Sequence, residues 1–243
     1  MLLFALAIAP GIAISLFVYS RDRFEREPMR LLILSFVLGM LSTLPPLALQ
    51  LLAGDIRTES GIHSILNYAL YSFVIIAFTE EGSKFLVLRL FAYPKKSFNE
   101  PFDGIVYAVM ISMGFATVEN IEYVERFGIQ TGIVRFFLSV PAHASFAVLT
   151  GYYAGLAKAN PEKSSSLLWK GLIIAVFFHG SFDFFIFLQK NQKITAYISE
   201  GLLSFGAFAT FYIAMRLALK TIRMHDGKQG GSGRTMHEEE NPE

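Results

Sequence analysis

Two adjacent glutamates and a lysine lie inside an apolar stretch of the sequence, AFTEEGSKFLVL, as Glu80, Glu81 and Lys84. On a helix Lys84 is four residues from Glu80 and three from Glu81, so its ammonium can reach either carboxylate. One glutamate can then remain ionised beside Lys84, while the other, removed from water next to a like charge, can take up and release a proton. A buried ion pair that only fixes the helix register needs a single glutamate and leaves the second unexplained. The trio therefore predicts acid–base chemistry within an apolar segment.

Two histidines occupy other apolar stretches. His179 and Asp183 are four residues apart in AVFFHGSFDFFIF and share a helix face, where both can bind a metal or Asp183 can orient His179. His143 follows Pro141 in FFLSVPAHASF. The proline interrupts the helix, and irregular backbone inside a membrane is tolerated where it lines a cavity. A local His–Asp hydrogen bond and an interior histidine are the structural alternatives, but ionisable groups in apolar segments favour a site.

A further carboxylate ends another apolar stretch, GFATVENIEY, as Glu119, and Asn120 follows it. Glu119 is either a site carboxylate or a charge at a helix end, and its depth favours the site. Arg135, near the start of the next stretch, is expected to extend its guanidinium towards the membrane surface.

Counting residues along each apolar stretch gives the depth of these groups in the membrane. At a rise of about 1.5 Å per residue, Glu80, His143 and His179 fall within roughly 5 Å of the midpoints of their segments. Asp183 and Glu119 fall about 7–10 Å towards the outside by the same count. Antiparallel helices would therefore bring the five groups to a similar level, which predicts a single cluster.

The composition shows what must position this cluster. The chain has 243 residues, of which 53% are hydrophobic and 17% charged, and its mean hydropathy is +0.46. These values exclude a disordered chain, a secreted disulfide scaffold and a soluble two-domain enzyme. The absence of cysteine excludes thiol catalysis and thiolate metal sites, and a net charge of +1 argues against nucleic acid as the main partner. The sequence instead predicts a protein embedded in a lipid bilayer.

Seven apolar runs are long enough to cross the hydrocarbon core, which needs about 20 helical residues. They are 2–19, 31–53, 62–92, 102–122, 132–157, 168–189 and 196–220. Because backbone groups in lipid must be satisfied within their own segment, the predicted fold is an all-α, polytopic transmembrane helix bundle. Pro45-Pro46 should kink or break the second run, and the small side chains of Ala147, Gly151 and Gly155 should let the fifth pack closely.

Charge indicates the orientation of the bundle. Placing the loop after the first run in the cytoplasm puts most of the 21 Lys and Arg residues on that side, which predicts an outside N-terminus and a cytoplasmic C-terminus. We expect residues 1–223 to form the transmembrane domain. Residues 224–243, which contain Gly230-Gly-Ser-Gly and the run Glu238–Glu240, are expected to form a flexible tail.

Several known ways of cutting a peptide bond inside a membrane do not fit these residues. No H-E-x-x-H string occurs, and Asp183 is the only aspartate deep in a span. Ser181 is two residues from His179 and so lies on the wrong helix face to pair with it. Glutamate and histidine remain. A glutamate can take a proton from water, and histidines, with or without a metal, can stabilise the resulting oxyanion.

Four motifs in a fixed order resemble a known family. The motifs are Glu80-Glu81-x-x-Lys84, Phe115-x-x-x-Glu119-Asn120, Pro141-x-His143 and His179-x-x-x-Asp183. Together they are similar to the PrsW family of bacterial intramembrane proteases, distant relatives of the CAAX prenyl endopeptidase and bacteriocin-processing superfamily. The resemblance covers about residues 1–220. It implies a bacterial cell-membrane enzyme that makes the first, site-1 cut in a single-pass membrane anti-sigma factor, after which a sigma factor is released for the envelope-stress response.

The resemblance also implies roles for the residues. It implies that Glu80 and Glu81 are catalytic and that His143 and His179 bind a metal, expected to be Zn²⁺, or the oxyanion. With them, Lys84 and Glu119 are expected to complete the catalytic group and Asp183 the metal ligands. The CAAX relatives offer a metal-free version, with a glutamate-activated water. This sequence has Glu119 where those relatives have histidine and Asp183 where many have asparagine. The metal and metal-free mechanisms therefore both stay open.

Two other functions compete with the protease. A proton- or ion-coupled transporter could use the same buried groups as a relay, but it would favour repeated halves with paired broken helices, which the sequence lacks. A non-catalytic membrane scaffold could use them only to hold helices together. It predicts that Glu80→Gln and Glu81→Gln change stability and leave activity unaffected.

Overall fold

The computed structural model describes the backbone of residues 2–22, 25–53 and 65–239 and the side chains of these residues from Phe4 to Met224. Within these ranges the regular structure is helical and contains no strand, which confirms the predicted all-α class. The helices are α1 (Leu2–Arg21), α2 (Met29–Leu41), α3 (Leu44–Ala53), α4 (Ile65–Leu70), π1 (Tyr71–Phe78), α5 (Thr79–Val87), π2 (Leu88–Ala92), α6 (Pro101–Phe127), α7 (Ile129–Phe137), α8 (Ser139–Ala159), α9 (Ser164–Leu188), α10 (Gln192–Thr195) and α11 (Glu200–Glu239).

Six helical stretches in the described part of the chain are long and apolar enough to cross a membrane. They are Phe4–Arg21, Met29–Ala53, Pro101–Phe127, Ile129–Ala159, Pro161–Leu188 and Glu200–Met224. The remaining predicted run, 62–92, is described from residue 65 and is helical as far as Ala92, but it is not among the six. It differs from them in alternating between α and π turns. The count of seven spans and the orientation of the termini remain predictions.

The second run is broken where its two prolines predict a break. α2 ends at Leu41 and α3 begins at Leu44, because Pro45 and Pro46 have no N–H with which to continue the helical hydrogen bonds. The hydroxyls of Ser42 and Thr43 donate to the carbonyls of Gly39 and Met40, each at 2.7 Å, and so satisfy two of the carbonyls that the break would leave open.

The centre of the bundle is α6, whose side chains are almost all buried by α1, α2 and α8. It approaches α8 at glycines. A Cβ on Gly104 would collide with the carbonyl oxygen of Gly151, and one on Gly155 would collide with the carbonyl oxygen of Pro101. The predicted close packing of the fifth apolar run is therefore confirmed, since only glycine allows the two backbones to come this near.

The last helix, α11, continues through residues 225–239, which belong to the segment expected to be a flexible tail. Residues 240–243 of that segment lie outside the described residues. The division of the chain at residue 223 remains a prediction.

Candidate active site

Glu81 lies at the centre of the buried polar cluster. Its Oε1 accepts hydrogen bonds from Lys84 Nζ at 2.7 Å and from His179 Nδ1 at 2.8 Å. All three side chains are buried, Glu81 and Lys84 on α5 and His179 on α9. Because an ionised carboxylate only accepts, this arrangement places the proton of His179 on Nδ1 and directs Nε2 away from Glu81. Lys84 thus pairs with Glu81, and the neighbouring glutamate has a different environment.

Glu80 has one oxygen bound and one free. Gln50 Nε2 of α3 donates to Oε1 of Glu80 at 3.3 Å. Oε2 is buried and has no hydrogen-bond partner among the described residues. The closest cationic atoms to Oε2 are His179 Nε2 at 3.9 Å and Lys84 Nζ at 4.0 Å, both beyond hydrogen-bond distance. A buried carboxylate oxygen without a partner is costly, which points to a bound reactant or ion at this position.

His143 joins the α5 cluster to Glu119 on α6. Its Nδ1 lies 3.1 Å from Lys84 Nζ, and its Nε2 lies 2.9 Å from Glu119 Oε2. An ammonium can only donate, so Nδ1 accepts from Lys84 and Nε2–H donates to Glu119. The ring centroids of His143 and His179 are 5.1 Å apart. The two histidines predicted from separate spans therefore meet in the bundle.

Glu119 forms an ion pair with Arg135, an arginine that the sequence predicts at the membrane surface. Arg135 Nη2 lies 2.9 Å from Glu119 Oε2, and Arg135 Nε donates to Asn120 Oδ1 at 2.6 Å. Arg135 is only 8% exposed, so the expectation that it extends to the membrane surface is wrong. The cause is the turn at Gly128, whose φ of 79° favours glycine and folds α7 back along the end of α6. A buried carboxylate within reach then pairs with the guanidinium.

Asp183 lies one helical turn beyond His179, and its Oδ2 is 3.4 Å from His179 Nε2. It is partly exposed and lines the same cavity. The cavity has a volume of about 720 Å³, and its lining residues include Glu80, His143, His179, Arg126 and Lys190. The predicted cluster of Glu80, Glu119, His143, His179 and Asp183 therefore borders one cavity.

The donor set of this cavity fits a metal ion. Glu80, His143 and His179 each offer one ligand atom, and these atoms lie within 4.8 Å of one another. Two imidazoles and a carboxylate form a common ligand set for catalytic zinc, and the unpartnered Oε2 of Glu80 is suited to a cation. The sequence predicts Asp183 as the third ligand, whereas the structure brings Glu80 into the group. Binding through His143 would require its contact with Lys84 or Glu119 to open, because both ring nitrogens are engaged.

Two polar residues of the site were not recognised from the sequence. Gln50 is the only polar side chain in the run LPPLALQLLA, which is the signal that could have identified it. The sequence predicts that Arg135 extends to the membrane surface, because nothing in it shows that α7 folds back onto Glu119.

Comparison with known proteins agrees with this site. Residues 27–216 match the model of a family described as the PrsW family of intramembrane metalloproteases. A protein named Protease PrsW from Geobacillus kaustophilus is 35% identical over 189 residues, which cover 78% of this chain and 81% of the relative. The protein of the same name from Bacillus subtilis is 34% identical, and the match covers 76% of this chain and 82% of the relative. The one from Clostridioides difficile is 36% identical, and the match covers 79% of this chain and 82% of the relative. No solved structure matches.

The matched region contains every residue of the cluster built around Glu80, Glu81 and the two histidines. The helices that carry them form a multi-pass bundle, and the relatives that share most of its length are named as proteases. The chain belongs to the PrsW family of intramembrane metalloproteases, and it is a bacterial membrane protease.

Proposed function

We propose that this protease makes the first, site-1 cut in a single-pass membrane anti-sigma factor and thereby starts the release of an envelope-stress sigma factor. The observation that carries the catalytic part of the proposal is the free Oε2 of Glu80, which borders a cavity shared with His143 and His179. The choice of substrate is supported by the four motifs that resemble the family. A site between membrane-spanning helices also suits a substrate that has one transmembrane segment.

Glu80 is the proposed general base. Its Oε2 takes a proton from a water molecule in the cavity while the water oxygen attacks the carbonyl carbon of the scissile peptide bond. The C–N bond then breaks, and the proton passes from Glu80 to the leaving amine nitrogen. Gln50 holds the other oxygen, so Glu80 can present Oε2 without rotating.

In this proposal His179, protonated at both ring nitrogens, donates Nε2–H to the carbonyl oxygen on which charge develops, and His143 lies beside it with its own Nε2–H on Glu119. His179 is oriented by its Nδ1–H bond to Glu81, and His143 is oriented between Lys84 and Glu119. Glu81, Lys84 and Glu119 thus complete the catalytic group by fixing the two rings and balancing their charge. Such preorganised groups stabilise a transition state because they need not reorient during the reaction.

The alternative is a reaction with Zn²⁺, which Glu80, His143 and His179 would hold, with Asp183 next to His179; Glu80 would then be a ligand and not the base. When bound, the ion would supply Lewis-acid polarisation of the water and of the scissile carbonyl. The reaction with Glu80 as the base needs no metal, as in the CAAX relatives.

The test is cleavage of a single-pass anti-sigma reporter in membranes that contain the parent protein, Glu80→Gln or Glu81→Gln at equal protein levels. We expect the parent to release the extracytoplasmic part and both variants to lose cleavage. Glu162→Gln, at an exposed position before α9, is the matched control and should cleave like the parent. Unchanged cleavage in both site variants would refute the glutamate mechanism. A parent that cuts other single-pass proteins but not the anti-sigma reporter would refute the substrate alone.

A further inference from the structure

The broken second apolar run brings a glutamine to the proposed base. α2 packs against the central helix α6, whereas α3, after the break at Pro45 and Pro46, packs against π1 and α5. α3 therefore contacts the helix that carries Glu80.

Gln50 differs from its neighbours on α3. Leu49 and Leu52 are exposed and do not line the cavity, and Leu52 is 85% exposed. Gln50 is partly buried and lines the cavity. An amide in an apolar helix is unfavourable unless it finds hydrogen-bond partners, so its position calls for an explanation. The partner that the structure provides is Glu80 Oε1, at 3.3 Å.

This contact makes the two oxygens of Glu80 inequivalent. Oε1 accepts a hydrogen bond from a neutral donor, while Oε2 has no partner among the described residues and borders the cavity beside His179. A carboxylate held at one oxygen cannot turn freely about its terminal bond, so the direction of the second oxygen is fixed. Orientation of this kind matters because a misplacement of about 1 Å can cost about 10²-fold in rate.

We propose that Gln50 is a positioning residue for peptide hydrolysis, which holds Glu80 at Oε1 so that Oε2 points at the reacting water. The inference rests on the proposed role of Glu80 as the base. Gln50 acts through Glu80 and not through the substrate. Its loss therefore lowers the rate of the chemical step and leaves substrate binding nearly unchanged.

The experiment measures kcat and KM of purified Gln50→Met in detergent or lipid, with a reporter that the parent cuts and Glu80→Gln does not. Methionine is unbranched and close in length to glutamine but has no N–H donor. Leu52→Met is the matched control, because it introduces the same side chain on the outer face of the same helix. We expect kcat of Gln50→Met to fall about 10- to 100-fold, KM to change less than about twofold, and the control to match the parent.

A second variant keeps the test independent of folding. Gln50→Glu preserves the shape of the side chain and replaces the donor with a carboxylate facing Glu80, so we expect kcat to fall at least as far. Parental kcat in both Gln50 variants, or a change confined to KM, would overturn the inference. A failure of the proposed function would appear as the lack of any reporter that the parent cuts and Glu80→Gln does not, whereas a failure of this inference would appear only in the Gln50 variants.

Discussion

Lys84 lies between Glu81 and His143, with Nζ 2.7 Å from the Oε1 of Glu81 and 3.1 Å from the Nδ1 of His143. It also lies over the ring of Phe115, 4.1 Å from the centroid, so the ammonium is surrounded on three sides. The ammonium of Lys84 therefore holds the Glu81 carboxylate, which orients His179. It also fixes the tautomer of His143, because it donates to Nδ1. The geometry of both histidines depends on it, although they come from different helices.

The first prediction concerns this cation. Lys84→Met should abolish cleavage and destabilise the protein by about 3 kcal/mol, because removing one member of a buried ion pair leaves the other charge uncompensated. Thermal unfolding in detergent measures the stability, and Lys163→Met, at an exposed position, is the control. If Lys84→Met unfolds at the parental temperature, the Lys84–Glu81 pair does not carry the stability assigned to it.

Two arginines give a matched comparison of ion pairs. Arg135→Gln removes the buried partner of Glu119 and should cost about 3 kcal/mol of stability and most of the activity. Arg126→Gln removes an exposed partner of Glu122, at 3.0 Å, and should change stability by less than about 0.5 kcal/mol. Unfolding temperatures and cleavage rates of the two variants test the difference. Equal effects on stability would contradict the buried role of Arg135.

Metal removal separates the two proposed mechanisms. If Zn²⁺ is held by Glu80, His143 and His179, purified protein should contain about one zinc per chain, and a chelator should remove both the metal and the activity. Elemental analysis provides a readout independent of activity, and His179→Ala should retain less zinc than the parent. Full activity in protein shown to be free of metal would instead support water activation by Glu80 alone.

The loop between α1 and α2 should make stability depend on pH. Burial raises the pKa of Glu27, and the nearby charge of Asp22 raises it further, although the hydrogen bond from Tyr107 opposes this. An acid whose folded-state pKa is raised holds its proton more tightly when folded, so its contribution to stability is present at acid pH and is lost as pH rises through that pKa.

Glu27→Gln keeps an oxygen that can accept from Tyr107 and removes the charge. We therefore expect the variant to raise the unfolding temperature more at pH 8 than at pH 5, with Glu162→Gln unchanged at both. A variant that is less stable than the parent at pH 8 would show that the charged carboxylate is favourable there.

Much of the site follows from the sequence because intramembrane charges are rare and costly. Glu80, His143 and His179 stand out in apolar runs, and helix rise alone places them at a similar depth. Helical periodicity also predicts that Lys84 can reach a glutamate, but it does not choose between Glu80 and Glu81. That choice depends on which neighbours approach from other helices, and the structure supplies His179 to Glu81 and Gln50 to Glu80.

Arg135 shows what periodicity cannot supply. Arg135 follows Glu119 in the chain after the turn between α6 and α7, so the sequence places it on a different helix near the membrane surface. A charged side chain in that position usually extends into water. The deciding feature is one backbone angle at Gly128, which returns α7 to the end of α6. Sequence patterns predict faces and depths within a helix, whereas the neighbours of a side chain depend on how the helices are connected.

The glycine contacts between α6 and α8 have a consequence for motion. Gly104, Gly151 and Gly155 lock the backbones of these helices together at one end, while the cavity separates the elements at the other. Amide hydrogens should therefore exchange with deuterium slowly around Gly104 and Gly155 and quickly around α3 and α7, where few backbones touch. The bundle would then open mainly at the end that holds the cavity, which is the end where Glu80, His143 and His179 lie.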